Sequence, residues 1–242
     1  MSEDVLQRVR VVLCRPSHPG NIGAAARAMK NMGLEDLRLV APRDFPAPEA
    51  RWMAAHAVDV LERAQLAASL EDAIADCVGA YALTARPRDW SPPVMAAREA
   101  AQSAVAQAAQ GPVALVFGAE RAGLTNEEVL ACQVLVHIPV SPRYASLNLA
   151  QAVQVMAYET RVAATAEVPA ERGQMLATRA DIEGLHAHIA QAAEAVAFYD
   201  PAAPMKFRER LRRLFSRTQL EREEVNVLRG LLRALIGNSP RK

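Results

Sequence analysis

Ile138-Pro-Val-Ser-Pro-Arg-Tyr-Ala-Ser146-Leu-Asn148-Leu-Ala-Gln-Ala-Val153 decides how this chain is read. It continues the apolar run Val134-Leu-Val-His-Ile138, which has the length and composition of a short buried strand. Pro139 and Pro142 then forbid both a continued ladder and an early helix. Ser146 or Asn148 offers an oxygen to cap a helix, and Leu149, Val153 and Met156 recur at helical spacing beyond. The chain therefore leaves a strand, makes a rigid polar loop and enters a helix whose first amides lack partners. α/β proteins hold ligands at such edges, although an ordinary crossover loop has the same outline.

Outward from this stretch the same alternation repeats. Val113-Ala-Leu-Val-Phe117 is the most continuous apolar run and is expected to be central in a parallel sheet. It delivers the loop Gly118 to Leu124, after which Thr125 and Glu128 form a capping box. Near the N-terminus, Val9–Cys14 is a strand and the turn-rich Arg15–Gly20 leads to Asn21, a plausible helix cap. Ile22, Ala25, Ala26, Met29 and Met32 line one face of the helix that follows, and Gly33 ends it. Arg27 falls off that stripe, where a solvated surface cation is the ordinary occupant.

Leu37–Val40 is a second strand, and Arg51–Arg63 is expected to be a helix with Met53, Ala57, Val60 and Leu61 inward. Ser69 and Asp72 open a short helix. Gly79–Thr84 is a strand running into Ala85-Arg86-Pro-Arg88-Asp-Trp90, and a helix is expected from Pro93 to Gln110. Strands alternating with helices over 9–164 predict an α/β fold, a parallel sheet with helices on both faces. No G-x-G-x-x-G follows a strand, so the phosphate loop of a dinucleotide site is missing.

The expected division is a domain over 1–164, a linker over 165–178 where Pro169 and Gly173 appear, and a helical extension over 179–242. Its helices are Arg179–Val196, Met205–Phe215 and Glu221–Ile236, with Val196, Leu214 and Leu235 among the inward positions. Lys206, Arg210, Arg213 and Arg217 form a cationic stripe opposite the apolar one. RNA phosphates are its natural partner; a solvated helix face is the alternative.

The bulk numbers narrow the function classes. The net charge is +1, so any attraction for nucleic acid must come from local clustering. Aromatic residues make up 5%, too few for an evident base-stacking platform. The chain shows no secretory signal and no apolar run long enough for a membrane span, so a cytoplasmic protein is expected. Cys14, Cys77 and Cys132 sit singly on apolar segments and read as buried free thiols, and no zinc spacing is present.

Three segments together resemble, in order, the motifs of the SPOUT class of RNA methyltransferases. They are Asn21-Ile-Gly23-Ala-Ala-Ala-Arg27, Gly118-Ala-Glu120-Arg-Ala-Gly123-Leu124 and the Ile138-Pro…Ser146-Leu-Asn148 stretch. Pro142-Arg-Tyr144 in the third looks like the TrmJ branch of the SpoU/TrmH-like enzymes, the tRNA ribose 2′-O-methyltransferases. Leu211-Arg-Arg-Leu-Phe215 and Asn226-Val-Leu-Arg-Gly230 resemble that branch's C-terminal segment.

The resemblance implies a C-terminal trefoil knot in the sheet domain, which ordinary topology rules disfavour, and a homodimer whose active sites draw on both subunits. It implies S-adenosylmethionine as methyl donor and tRNA as acceptor, with cytidine or uridine at position 32 of the anticodon loop as target. A ribosomal RNA 2′-O-methyltransferase and a catalytically silent knotted RNA-binding protein are the alternatives. The implied cofactor pocket comprises Leu83, Thr84, Ala85, Gly118, Ile138, Ser146, Leu147 and Asn148. Arg27 is the implied functional arginine, with Asn21, Glu120 and Asn148 around it. A guanidinium is hard to deprotonate, so Arg27 is expected to stabilise charge on the ribose oxygen rather than act as base. Glu120 could instead simply pair with Arg121 or Arg86, and Arg86 and Arg121 are expected to face RNA. The chemistry requires no metal.

Overall fold

The apolar runs become the strands of one parallel sheet. The computed structural model describes residues 2–84, 92–165, 175–202, 206–215 and 217–237. Its first half runs α1 (Ser2–Leu6), β1 (Val9–Cys14), α2 (Pro19–Asn31), β2 (Asp36–Val40), α3 (Pro48–Ala54), α4 (Val58–Glu62), β3 (Gln65–Ala67), α5 (Leu70–Ile74) and β4 (Gly79–Leu83). The second half runs β5 (Val94–Ala96), α6 (Ala97–Ala108), β6 (Val113–Phe117), α7 (Asn126–Leu130), β7 (Val134–His137), α8 (Leu149–Thr165), α9 (Arg179–Ala195), α10 (Phe207–Phe215) and α11 (Arg222–Gly237).

The strand order is β3-β2-β1-β6-β4-β7-β5, and every neighbouring pair is parallel. β6 is central and buried along its whole length, as its unbroken apolar run predicts. Successive side chains alternate between two cores because a strand has a period of two. Val113, Leu115 and Phe117 face one core with the buried stripes of α2, α6 and α8. Ala114 and Val116 face a thinner one with all three cysteines, α5 and α7. Arg10 lies buried on that second side, satisfied by Asp36, Asp76 and the Ala73 carbonyl.

Several expectations are corrected. The helix expected over Arg51–Arg63 is broken by a 3₁₀ turn at Ala55–Ala57, so Met53 is 48% exposed rather than inward. Asn21 is not a cap: Pro19 starts α2 and His18 occupies the capping position. The helix expected from Pro93 starts at Ala97, because Val94–Ala96 pairs with β7 as an edge strand. α10 starts at Phe207, so Lys206 and Arg217 flank the helix instead of riding on it. Val196, Leu214 and Leu235 are exposed, since the extension buries one narrow face around Ile182, Leu185 and Val225.

The extension docks at the end of β4 where Val78 enters the sheet. The amides of Arg179 and Ala180 donate to the carbonyls of Cys77 and Ala75, and Arg179 Nη2 donates to the Ala131 carbonyl at 2.7 Å. Residues 175–178 of the expected linker are tied down: Ala177 donates to Leu220, and Arg222 donates to Met175. No helix among the described residues is long and apolar enough to cross a membrane.

Candidate active site

The carboxyl ends of β4, β6 and β7 open onto a cavity of about 360 Å³. Leu83, Phe117, Val136, Ile138 and Leu147 give it apolar walls, and Thr84, Glu120, Arg121 and Ser146 its polar rim. This is where an open parallel sheet places a ligand, since loops diverge from strand ends beside unpaired backbone groups. The first turn of α8 forms part of the floor through Leu149 and Ala152.

Gly118 lines this cavity, but its glycine is needed by the protein's own backbone. A Cβ there would lie 2.1 Å from the Gly123 carbonyl carbon and 2.2 Å from the Leu124 nitrogen. The loop folds back on itself, with Gly123 at φ +68° and its amide donating to Ala119 at 2.7 Å. Arg15 fixes this loop from the outside. Its guanidinium bonds both oxygens of Glu128 and the Gly123 carbonyl. Glu128 at the same time closes the capping box with Thr125.

One hydrogen-bonded chain joins the three loops. Asn148 Nδ2 donates to Asn21 Oδ1 at 2.9 Å, and Asn21 Nδ2 donates to Glu120 Oε1 at 2.8 Å. Ser17 donates to Glu120 Oε2 from its amide at 2.9 Å and from its hydroxyl at 2.7 Å, and the His18 amide reaches Oε1 at 3.2 Å. Partial burial opposes ionisation of Glu120, but the bonds from Asn21 and Ser17 outweigh it and hold the carboxyl at about 2. Asn148 also caps α8, its Oδ1 accepting from Ala150 at 2.9 Å.

The structure therefore gathers Asn21, Glu120 and Asn148 into one network beside Leu83, Thr84, Gly118, Ile138, Ser146 and Leu147. Glu120 accepts hydrogen bonds from Asn21, Ser17 and His18. Arg121 is on the cavity rim. Arg27 is exposed on α2, does not line the cavity, and makes no ion pair among the described residues. Ala85, Arg86 and the neighbouring Trp90 lie outside the described residues. Lys206, Arg210 and Arg217 are exposed, while Arg213 is half-buried. Sequence reasoning missed Arg15, Ser17, His18 and Glu128 as supports, because their partners lie about a hundred positions away.

Residues 8–158 match the SpoU rRNA Methylase family, and residues 180–241 match the tRNA methyltransferase TrmJ, C-terminal domain. The chain is 44% identical to the tRNA (cytidine/uridine/adenosine-2′-O-)-methyltransferase TrmJ of Pseudomonas aeruginosa, covering 94% of this chain and 93% of that protein. It is 42% identical to the tRNA (cytidine/uridine-2′-O-)-methyltransferase TrmJ of Escherichia coli K12, over 96% of each. The crystal structure of TrmJ from Z. mobilis ZM4 aligns with a TM-score of 0.80 at 37% identity, over 93% of this chain and 98% of that one.

Proposed function

We propose a function from one premise: the chain belongs to the SpoU methylase family and carries a TrmJ C-terminal domain. It is a tRNA ribose 2′-O-methyltransferase that uses S-adenosylmethionine. Its finer target is cytidine or uridine in the anticodon loop. The observation that carries this reading is the Asn148–Asn21–Glu120 chain, which locks three sequence-distant loops around a cavity at the strand ends.

The residues present suit the donor. Leu83, Ile138 and Leu147 offer apolar surface for a purine, and Thr84 and Ser146 offer polar groups for a ribose and an amino acid end. When bound, S-adenosylmethionine supplies a methyl group already activated by its sulfonium. The chain's task is to hold the acceptor hydroxyl in line and to stabilise the charge that grows on its oxygen.

Glu120, an anion down to about pH 2, is too weakly basic to take the hydroxyl proton at neutral pH. It serves as an anchor that fixes Asn21 and the start of α2. Arg27 supplies positive charge for the developing alkoxide and a neighbouring phosphate. Its absence from the cavity of its own chain supports a homodimer in which each site draws on both protomers. The trefoil knot belongs to the same proposal, as does a cytoplasmic location, which the buried free thiols favour.

Calorimetry with S-adenosylmethionine and tritium transfer to unmodified tRNA test the reading. Micromolar cofactor binding with label in tRNA is expected. Binding of tRNA without transfer would overturn it.

A further inference from the structure

The loop between β7 and α8 lines the cavity at the strand ends with both of its limbs, Ile138 and Val140 on one and Ala145, Ser146 and Leu147 on the other. Its tip, Pro142-Arg143-Tyr144, takes no part in that lining and stands exposed. The tip is nonetheless held in shape. The Tyr144 amide donates to the Ser141 carbonyl at 3.0 Å, and the Arg143 amide donates to Ser141 Oγ at 3.3 Å. Pro139 and Pro142 restrict the backbone on either side of Ser141.

Tyr144 is 79% exposed, in a chain with only 5% aromatic residues. Among the described residues the other large exposed aromatic side chains are Trp52, Tyr158 and Phe198, on α3, on α8 and after α9. Tyr144 alone of these belongs to the loop around the cavity. A single exposed ring is ordinary on a protein surface, so its place and its neighbours carry the argument. Beside it Arg143 is exposed and makes no ion pair among the described residues, and Arg121 stands on the cavity rim.

We propose that Tyr144 is a stacking platform for the base of the acceptor nucleotide, with Arg143 meeting an adjacent phosphate; this rests on the tRNA methyltransferase reading above. A ribose reaches a methyl group recessed in a cavity only if its nucleotide leaves the stack, and the lost stacking must then be replaced. A tyrosine face replaces it for any base, because every base has a π-face. A ring carried on a preformed turn does so with little further ordering. The platform is one ring at the loop tip, which a low aromatic content permits.

The test is steady-state methyl transfer by the full-length protein to unmodified tRNA at saturating S-adenosylmethionine. Tyr144→Ala should raise the KM for tRNA roughly 5–150-fold and leave kcat, melting temperature and cofactor affinity unchanged. Tyr144→Phe and Tyr144→Trp keep a π-face and should stay within about twofold of wild type, whereas Tyr144→Leu should resemble Tyr144→Ala. The salt slope of tRNA binding should hold in Tyr144→Ala, since an uncharged ring releases no counterion, and should fall by about one unit in Arg143→Gln. A wild-type KM in Tyr144→Ala, failure of Tyr144→Phe to restore it, or loss of cofactor affinity in Tyr144→Ala would each overturn the platform while the enzyme's function stands. An unchanged slope in Arg143→Gln would overturn the phosphate contact. Absence of methyl transfer by the wild-type protein would instead overturn the reading on which the platform rests.

Discussion

Asn148 donates to Asn21 at 2.9 Å across 127 positions of sequence, so the cap of α8 and the first turn of α2 are one structural unit. The same side chain caps its helix with the opposite atom. Asn148→Ala should therefore lose about 0.5–2 kcal/mol of stability through the cap. Asn148→Asp keeps an oxygen for the cap but loses the donor to Asn21. It should recover most of the melting temperature and little of the methyl transfer. Full activity in Asn148→Asp would show that the bridge to Asn21 has no part in catalysis.

Glu120 gives a pH signature of defined sign. Its folded value, about 2, lies below the ordinary 4.5, so its stabilising contribution is present above pH 4.5 and disappears as pH falls towards 2. The difference in melting temperature between wild type and Glu120→Gln should be largest above pH 5 and should close on acidification. Because the carboxyl stays ionised, it should contribute no step to the transfer rate between pH 5 and 9. An inflection in that range that Glu120→Gln removes would make it the base.

Arg27 is exposed and stands apart from the cavity, so Arg27→Ala should leave melting and cofactor affinity nearly unchanged. Turnover should fall by roughly 10²–10³-fold if the guanidinium stabilises the transition state. Mixing this variant with one blocked at the cofactor cavity, such as Ser146→Trp at its exposed rim, tests sharing between protomers. Mixed dimers with one intact composite site should regain activity. Mixtures as inactive as their components, despite demonstrated subunit exchange, would place Arg27 in its own chain's site.

Much of this was legible because local patterns carry it. The unbroken run Val113–Phe117 announced a central parallel strand, and Ser69 with Asp72 and Thr125 with Glu128 announced helix starts. Each of the three loops follows an apolar run, but it was the resemblance to the SPOUT motifs that singled them out together. What escaped was either too short to show a period or depended on remote partners. Val94–Ala96 spans three residues of an edge strand, and the break at Ala55 carries neither Gly nor Pro. Arg15 looks like any loop arginine, yet it sits at φ +51° with its amide bonded to Val40 and its side chain to Glu128. Gly118 was legible as a glycine that must be there, but its reason, the return of Gly123 and Leu124, was not.

The cationic stripe of the extension divides in two once its surroundings are known. Arg217 is exposed and lines a cavity between the sheet domain and the extension, Arg213 is half-buried, and Lys206 and Arg210 are exposed. Arg212, between them, is committed to Glu183 through two bonds of 2.6 Å. Within the stripe, Lys206 and Arg210 are the exposed positions that line no described cavity. If both meet tRNA phosphates, the double change Lys206→Gln, Arg210→Gln should weaken binding and lower the salt slope by about two units, one per contact. Cofactor affinity should not move, because neither residue borders the cavity at the strand ends. Filter binding of tRNA from low to moderate salt decides the matter. Unchanged affinity and slope would make the pair a solvated helix face and shift the search for RNA contacts to Arg121 and the cavity rim.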